Sequence, residues 1–403
     1  MVHRRLALPL AAALLAAVLV GCQGAESPTP PQAAAPAATQ AGMAAPAVSA
    51  PTLAPASTAD PAPTAAPTKA PSRYNAILIP APALKANLLG ERDQRNIRVY
   101  LPPSYLSSEK RYPVVYYLPG YTDTSMLGFI LPGDADTLMK TGVIRDMIVV
   151  VADGANLLGG SFYINSPVTG QWEDFIVKDV VGYVDGHYRT LARASARAIA
   201  GHSMGGFGAL NIGMRHPDVF SVVYSLSPGL FDPNGLAESQ MFDSEGKINP
   251  FVEYVQKVAQ LPPEDAQQAI ARSPDDFTLA YGLAFAPNPQ KQPSMDYPYA
   301  GPAGKLVRDD AAWSRWDAGF GGIPDKIRQY KDNLMQLKGL VVDYGRQDQY
   351  AWIPKGCVYW DQQLTAAGVP HELRAYDGSH ESNLSERIGK FMLPFISDRL
   401  AFE

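Results

Sequence analysis

The feature that most constrains this chain is Gly201-His202-Ser203-Met204-Gly205, because of what stands on either side of it. Ala196-Arg197-Ala198-Ile199-Ala200 precedes it, a short apolar run that reads as a buried strand. Gly206-Phe207-Gly208-Ala209-Leu210-Asn211-Ile212-Gly213-Met214 follows, and reads as a helix rich in small residues. The G-x-S-x-G pattern alone arises by chance in roughly one chain in five or six of this length, so its setting carries the weight. Strand, sharp turn and helix is the setting in which a serine hydroxyl is held clear of the backbone. Glycines on both sides of the serine let the strand and helix approach closely around a strained turn. The alternative is a glycine-rich turn with an inert serine, and the rest of the chain has to decide between the two.

The surrounding pattern predicts an α/β fold. Strands are expected at Leu84–Leu89, Ile97–Leu101, Pro113–Leu118, Met147–Ala152, Ala198–His202, Ser221–Leu226, Leu340–Tyr344 and Glu372–Tyr376. Helices are expected at Asp134–Thr141, Trp172–His187, Met204–Arg215, Ile323–Lys338, Lys355–Ala367 and Ser382–Leu400. Such alternation predicts a mostly parallel central sheet with helices on both faces, and the first two strands form an antiparallel edge. Residues 228–323 break the rhythm with no clear strand. An insertion of that length after a core strand is expected to be a largely helical cap over a binding site rather than a simple excursion.

Residues 1–21 carry His3, Arg4 and Arg5 and then an apolar run from Leu6 to Val20, the pattern of a secretory signal. Leu19-Val20-Gly21-Cys22 resembles the lipobox of bacterial lipoproteins, which makes Cys22 the expected lipidation site. Residues 22–72 then form a tether rich in Ala, Pro, Thr and Ser, too poor in apolar surface to order itself. As a flexible coil it would reach on the order of 40 Å. The globular domain is expected over residues 73–403, held outside the cytoplasm with its anchor in a membrane of the cell envelope.

Loss of Arg4 and Arg5 would take the formal charge from −5 to −7. With no long basic run, nothing points to nucleic acid. Cys357 is the only other cysteine, so a lipidated Cys22 leaves no intramolecular disulfide. Asp134 and Asp136 form a D-x-D without further ligands at metal-site spacing, and neither a metal nor a cofactor is expected.

A serine hydroxyl needs a base, and the base needs an orienting carboxylate. At an elbow of this kind the chain order is serine, acid, histidine. His380 follows the last expected strand and lies in a loop, where open α/β sheets carry their chemistry. His3 is in the leader, His202 inside the elbow, His187 and His216 at helix ends, and His371 at a strand start. Asp348, just past the Leu340–Tyr344 strand, is the expected acid. Asp343 within that strand is its rival, and Asp377 reads as a turn residue. Backbone N–H groups of Met204 and of Tyr121, with Thr122 as the alternative, are the expected oxyanion donors.

Together these residues resemble the esterase family of α/β-hydrolases that includes esterase D, feruloyl and acetylxylan esterases and the mycolyltransferases. The resemblance rests on Val99-Tyr100-Leu101-Pro102-Pro103-Ser104-Tyr105, Tyr112 through Gly120, Ser161-Phe162-Tyr163 through Ser166, Trp172-Glu173, Arg197 through Leu210 and Pro217-Asp218-Val219-Phe220. It spans about residues 80–400 outside the cap. It implies an α/β-hydrolase fold with Ser203, Asp348 and His380 as nucleophile, acid and base, and Tyr121 in the oxyanion position. Pro119 stands where the family's usual histidine precedes glycine, and Glu381-Ser382-Asn383 replaces the aromatic residue often found after the catalytic histidine. The expected activity is hydrolysis of a carboxylic ester, small or polysaccharide-linked. Acyl transfer to an envelope sugar or alcohol is the alternative, and a non-catalytic carbohydrate-binding scaffold the third reading.

Overall fold

The computed structural model describes residues 73–123 and 127–403, with the side chains of residues 127–130 and 132 outside that description. The expectations for the leader, Cys22 and the tether fall on residues outside it. Among the described residues twelve strands occur in chain order: β1 (Tyr74–Pro80), β2 (Gln94–Tyr100), β3 (Val114–Leu118), β4 (Ile148–Ala152), β5 (Asn165–Ser166), β6 (Gly170–Gln171), β7 (Arg197–His202), β8 (Val222–Leu226), β9 (Tyr299–Ala300), β10 (Val307–Arg308), β11 (Gly339–Gly345) and β12 (Glu372–Tyr376). Eight of them form one sheet in the order β1-β2-β4-β3-β7-β8-β11-β12. All neighbours from β4 to β12 run parallel, while β2 pairs antiparallel with both β1 and β4.

The composition of the strands explains their place. β3 (VVYYL), β4 (IVVVA) and β8 (VVYSL) are buried along their whole length. Strands covered on both faces read as continuous apolar runs. The pleat still sorts their side chains, with Val114, Tyr116 and Leu118 in one core cluster and Val115 and Tyr117 in the other. The first cluster packs beneath the helical stretch 172–187 and the helix Met204–Arg215; the second receives the C-terminal helical stretch 384–399.

The antiparallel edge is present, but its outer strand is Tyr74–Pro80 and not the expected Leu84–Leu89. Pro82 opens a short 3₁₀ turn, and the Asn87 side chain then accepts from the N–H groups of Leu89 and Glu91, closing a turn where a strand would have to run. Leu84 and Leu89 still enter the core, which is why the segment reads as apolar.

Between β8 and the helix Ile323–Leu334 lie the helices Gly235–Glu238, Glu245–Val258, Pro263–Ile270, Asp276–Phe285 and Asp310–Phe320 and the small β9–β10 hairpin, which the strandless expectation omitted. Leu279, Tyr281, Leu283, Trp316 and Phe320 from this insertion belong to the same core cluster as the sheet. Among the described residues no helix is long and apolar enough to cross a membrane.

Candidate active site

The turn from β7 into the helix Met204–Arg215 is made at Ser203, whose φ of 58° and ψ of −118° lie where side-chain-bearing residues are uncommon. Its neighbours hold it there. Ser203 N–H donates to the Leu226 carbonyl at 2.9 Å, and the Ser203 carbonyl accepts from Phe207 N–H at 3.0 Å. The two glycines are needed for packing as well as for freedom. A Cβ at Gly205 would lie 1.8 Å from the Leu118 carbonyl oxygen, and one at Gly201 would lie 2.3 Å from the Gly205 carbonyl oxygen.

Asp348 and His380 arrive from the loops after β11 and β12. These loops are joined backbone to backbone, with Gln347 N–H donating to the Gly378 carbonyl at 2.9 Å. His380 Nδ1 lies 2.6 Å from Asp348 Oδ2, and both side chains are almost wholly buried. The other Asp348 oxygen accepts from Tyr350 N–H at 2.9 Å. With its carboxylate held at both oxygens, Asp348 fixes the ring so that Nδ1 donates and Nε2 is left as acceptor. Ser203 and His380 border one cavity of about 740 Å³. Among the described residues no hydrogen bond joins the Ser203 hydroxyl to His380.

Asp343 is committed elsewhere. It is fully buried, accepts from Tyr224 Oη at 2.6 Å and pairs with Arg387 Nη2 at 2.6 Å. Asp377 pairs with Arg346 at the surface. The remaining histidines in the described residues also have local partners: His187 bonds the Tyr183 carbonyl, His216 bonds Glu173, and His371 bonds Asp361. Asp134 accepts from Ser385, and Asp136 pairs with Arg73 and Lys140. Among the described residues no group of side chains is arranged to hold a metal ion. Cys357 is buried, and burial pushes its thiol well above the ordinary range.

The loop after β3 lies against the nucleophile turn, close enough that a Cβ at Gly120 would sit 3.4 Å from Ser203 Cβ. Thr122 N–H donates to the Gly159 carbonyl at 2.9 Å and is therefore not free to serve an oxyanion. The N–H groups of Tyr121 and Met204 have no acceptor among the described residues. Met204 is the first residue of its helix, where N–H groups lack an intrahelical partner. The Tyr163 phenol donates to the Pro119 carbonyl at 3.0 Å, and Tyr121 Oη donates to the Leu158 carbonyl, so the loop is fastened at two points. Tyr163 belongs to the quoted Ser161-Phe162-Tyr163 run, but nothing in that run signals a contact 44 residues away.

His202 has a place that sequence reasoning did not assign. Its Nε2 lies 2.9 Å from the His380 carbonyl oxygen, and the two rings are 4.7 Å apart. Burial, and then the nearby His380, pull its pKa down to about 3. A neutral ring donates from Nε2 and tethers the His380 backbone from behind the nucleophile. Rings complete the cavity wall: Tyr350 meets His380 edge-on at 5.2 Å, Trp352 stacks with Phe320 at 5.9 Å, and Phe277 meets Tyr121 at 5.0 Å.

Known proteins resemble the chain in sequence and in fold. The curated esterases Rv1288 and MT1326 of Mycobacterium tuberculosis are each 32% identical over 137 residues. That stretch is 32% of this chain and only 28% of the length of those relatives. A solved ferulic acid esterase is 22% identical and superposes with a TM-score of 0.53, over 82% of this chain and 98% of its own. The shared architecture is that of the α/β-hydrolases. The family model named Esterase, described as "Putative esterase", matches residues 91–384. That match spans well over half of the sequence, and the chain belongs to the Esterase family.

Proposed function

We propose that the chain is a serine hydrolase of carboxylic esters, with Ser203 as nucleophile, His380 as base and Asp348 as its orienting acid. The observation that carries this reading is the joint placement of a strained Ser203 and an Asp348-bound His380 on one cavity. In the first half-reaction His380 Nε2 takes the Ser203 proton as Oγ attacks the ester carbonyl carbon. The resulting oxyanion is met by the N–H groups of Tyr121 and Met204. His380 then passes the proton to the departing alkoxide, leaving an acyl-enzyme. Water, deprotonated by His380, attacks the acyl carbon; Ser203 is regenerated and the acid released. The carboxylate of Asp348 stabilises the imidazolium formed in both halves.

Residues 228–323 are proposed to act as a substrate-binding cap, since Gly229, Gln240, Phe277 and Phe320 all border the cavity. The leader and Cys22 favour action outside the cytoplasm from a lipid anchor. Residues 73–403 should hydrolyse p-nitrophenyl acetate or butyrate, and Ser203→Ala should lower kcat/KM about a thousandfold or more. Equal rates in the two proteins would remove the serine from the mechanism. For the anchor, full-length chain should partition with membranes and Cys22→Ala should release it to the soluble fraction.

A further inference from the structure

The charges around the cavity differ sharply from its rings. Three carboxylate side chains border it: Asp123, from the loop after β3, and Glu381 and Glu386, from the segment that follows His380. No lysine or arginine is among its described lining residues. Glu386 is partly answered by Lys390, which pairs with it at 2.9 Å. Asp123 and Glu381 have no ion-pair partner among the described residues. Among the described lining residues the other titratable groups are His202, His380, Tyr121 and Tyr350. His202 brings no positive charge, because it stays neutral. The remaining wall is uncharged, with Phe277, Phe320, Trp352 and Ile353 beside polar groups such as Gln240 and Asn383.

A carboxylate-bearing substrate entering this space would meet like charge from the half-buried Asp123 and the exposed Glu381, with no cation among the described lining residues in compensation. The apolar part of the wall carries such a field further than bulk water does. Uncharged acyl and alcohol groups meet no such opposition, and a cationic group would be drawn in. We infer that the cavity selects esters by charge, accepting neutral or cationic substrates and rejecting anionic ones, with Asp123 and Glu381 as the specificity-determining residues. This rests on the reading of the cavity as the site of ester hydrolysis. It narrows that reading to a chemical class: uncharged or cationic esters.

The test compares p-nitrophenyl hexanoate with the p-nitrophenyl monoester of adipic acid, which has a similar chain ending in a carboxylate too remote to displace p-nitrophenolate by itself. At low ionic strength the neutral ester should have the higher kcat/KM by about tenfold, the size expected for two partly solvated like charges. Raising the salt to 1 M shortens the screening length to ~3 Å and should narrow the gap. The Asp123→Asn, Glu381→Gln double variant should narrow it in low salt, mainly through KM for the anionic ester. A wild-type gap that the double variant leaves unchanged would assign the preference to other groups and overturn the proposal, as would equal kcat/KM for the two esters in the wild type.

Binding separates this proposal from the hydrolase reading. In the Ser203→Ala variant, Trp352 fluorescence titrated with butyl butyrate and with monobutyl succinate should show weaker binding of the anionic ester. If turnover does not depend on Ser203 but this binding difference persists and responds to the double variant, the mechanism falls and charge selection stands. If turnover depends on Ser203 but both ligands bind alike, charge selection falls and the mechanism stands.

Discussion

The nucleophile turn and the cavity wall are built in opposite ways. At the turn, Ser203 is positioned by backbone: the Leu226 carbonyl takes its N–H, and glycines are needed on either side where the Leu118 and Gly205 carbonyls crowd. At the wall, shape is set by side chains from distant parts of the chain: Phe277 meets Tyr121 at a ring distance of 5.0 Å, and Phe320 meets Trp352 at 5.9 Å. Backbone packing of the first kind leaves little room for change, because a displaced carbonyl moves a whole strand or helix. Rings can be exchanged for other rings with modest repacking. The contrast teaches that the reaction and the choice of substrate are held by separate structural means, and mutations can test how separate they are.

The largest effect is expected at the turn. Gly205→Ala would place a methyl carbon 1.8 Å from the Leu118 carbonyl, so β3 or the helix Met204–Arg215 must move. We expect a loss of stability of about 3 kcal/mol or more, with hydrolysis abolished even in whatever protein remains folded. Chemical denaturation and p-nitrophenyl butyrate turnover would measure both. Near-native activity would show that the turn tolerates adjustment and would erase the contrast.

Next comes the orienting acid. Asp348→Asn keeps the size of the side chain but presents an amide to His380 Nδ1, favouring the wrong tautomer. kcat should fall about 10²- to 10⁴-fold while the fold is retained. Asp377→Asn, at an exposed pair with Arg346, serves as its control and should change kcat less than about twofold.

These expectations also mark what could be read from residues alone. The elements around the turn were legible because each depends on a local pattern: Met204–Arg215 and Glu372–Tyr376 have the bounds their sequences suggest. Leu84–Leu89 misled because its apolar residues are core anchors on a turn made by Pro82 and Asn87. Asp348 and Asp343 are five residues apart, and what divides them is tertiary: Asp343 is held by Tyr224 and Arg387, which the sequence keeps distant. The choice between Tyr121 and Thr122 likewise turns on Gly159, whose carbonyl takes the Thr122 N–H. The bond from His202 to the His380 carbonyl spans 178 residues and has no local signature.

A smaller effect should appear in the pH dependence of stability. Folded His202 remains neutral down to a pKa of about 3, whereas in the unfolded chain it takes up a proton below about pH 6.5. Between those values the unfolded state binds more protons, so stability falls as pH falls. The His202 share of that loss should be about 1.4 kcal/mol between pH 8 and pH 5.5. Urea unfolding at the two pH values should show His202→Asn losing that share, although the variant starts less stable at pH 8. An unchanged slope would mean that the ring takes a proton in the folded state and does not stay a fixed donor to His380.

The smallest effect, and the one that bears most directly on the contrast, concerns Phe277. Its ring borders the cavity and meets the Tyr121 ring edge-on at 5.0 Å. If the insertion only shapes substrate binding, Phe277→Ala should raise KM for p-nitrophenyl butyrate by about three- to tenfold, with kcat close to wild type, the loss expected for one apolar contact. Tyr121, however, is the residue whose N–H is proposed to meet the oxyanion, and Phe277 packs on its side chain. A fall in kcat alongside the rise in KM would mean that the insertion also steadies the oxyanion loop. Comparing acetate and butyrate esters tells the two apart, because a binding contact acts more strongly on the longer acyl chain, whereas a loosened oxyanion donor slows both alike.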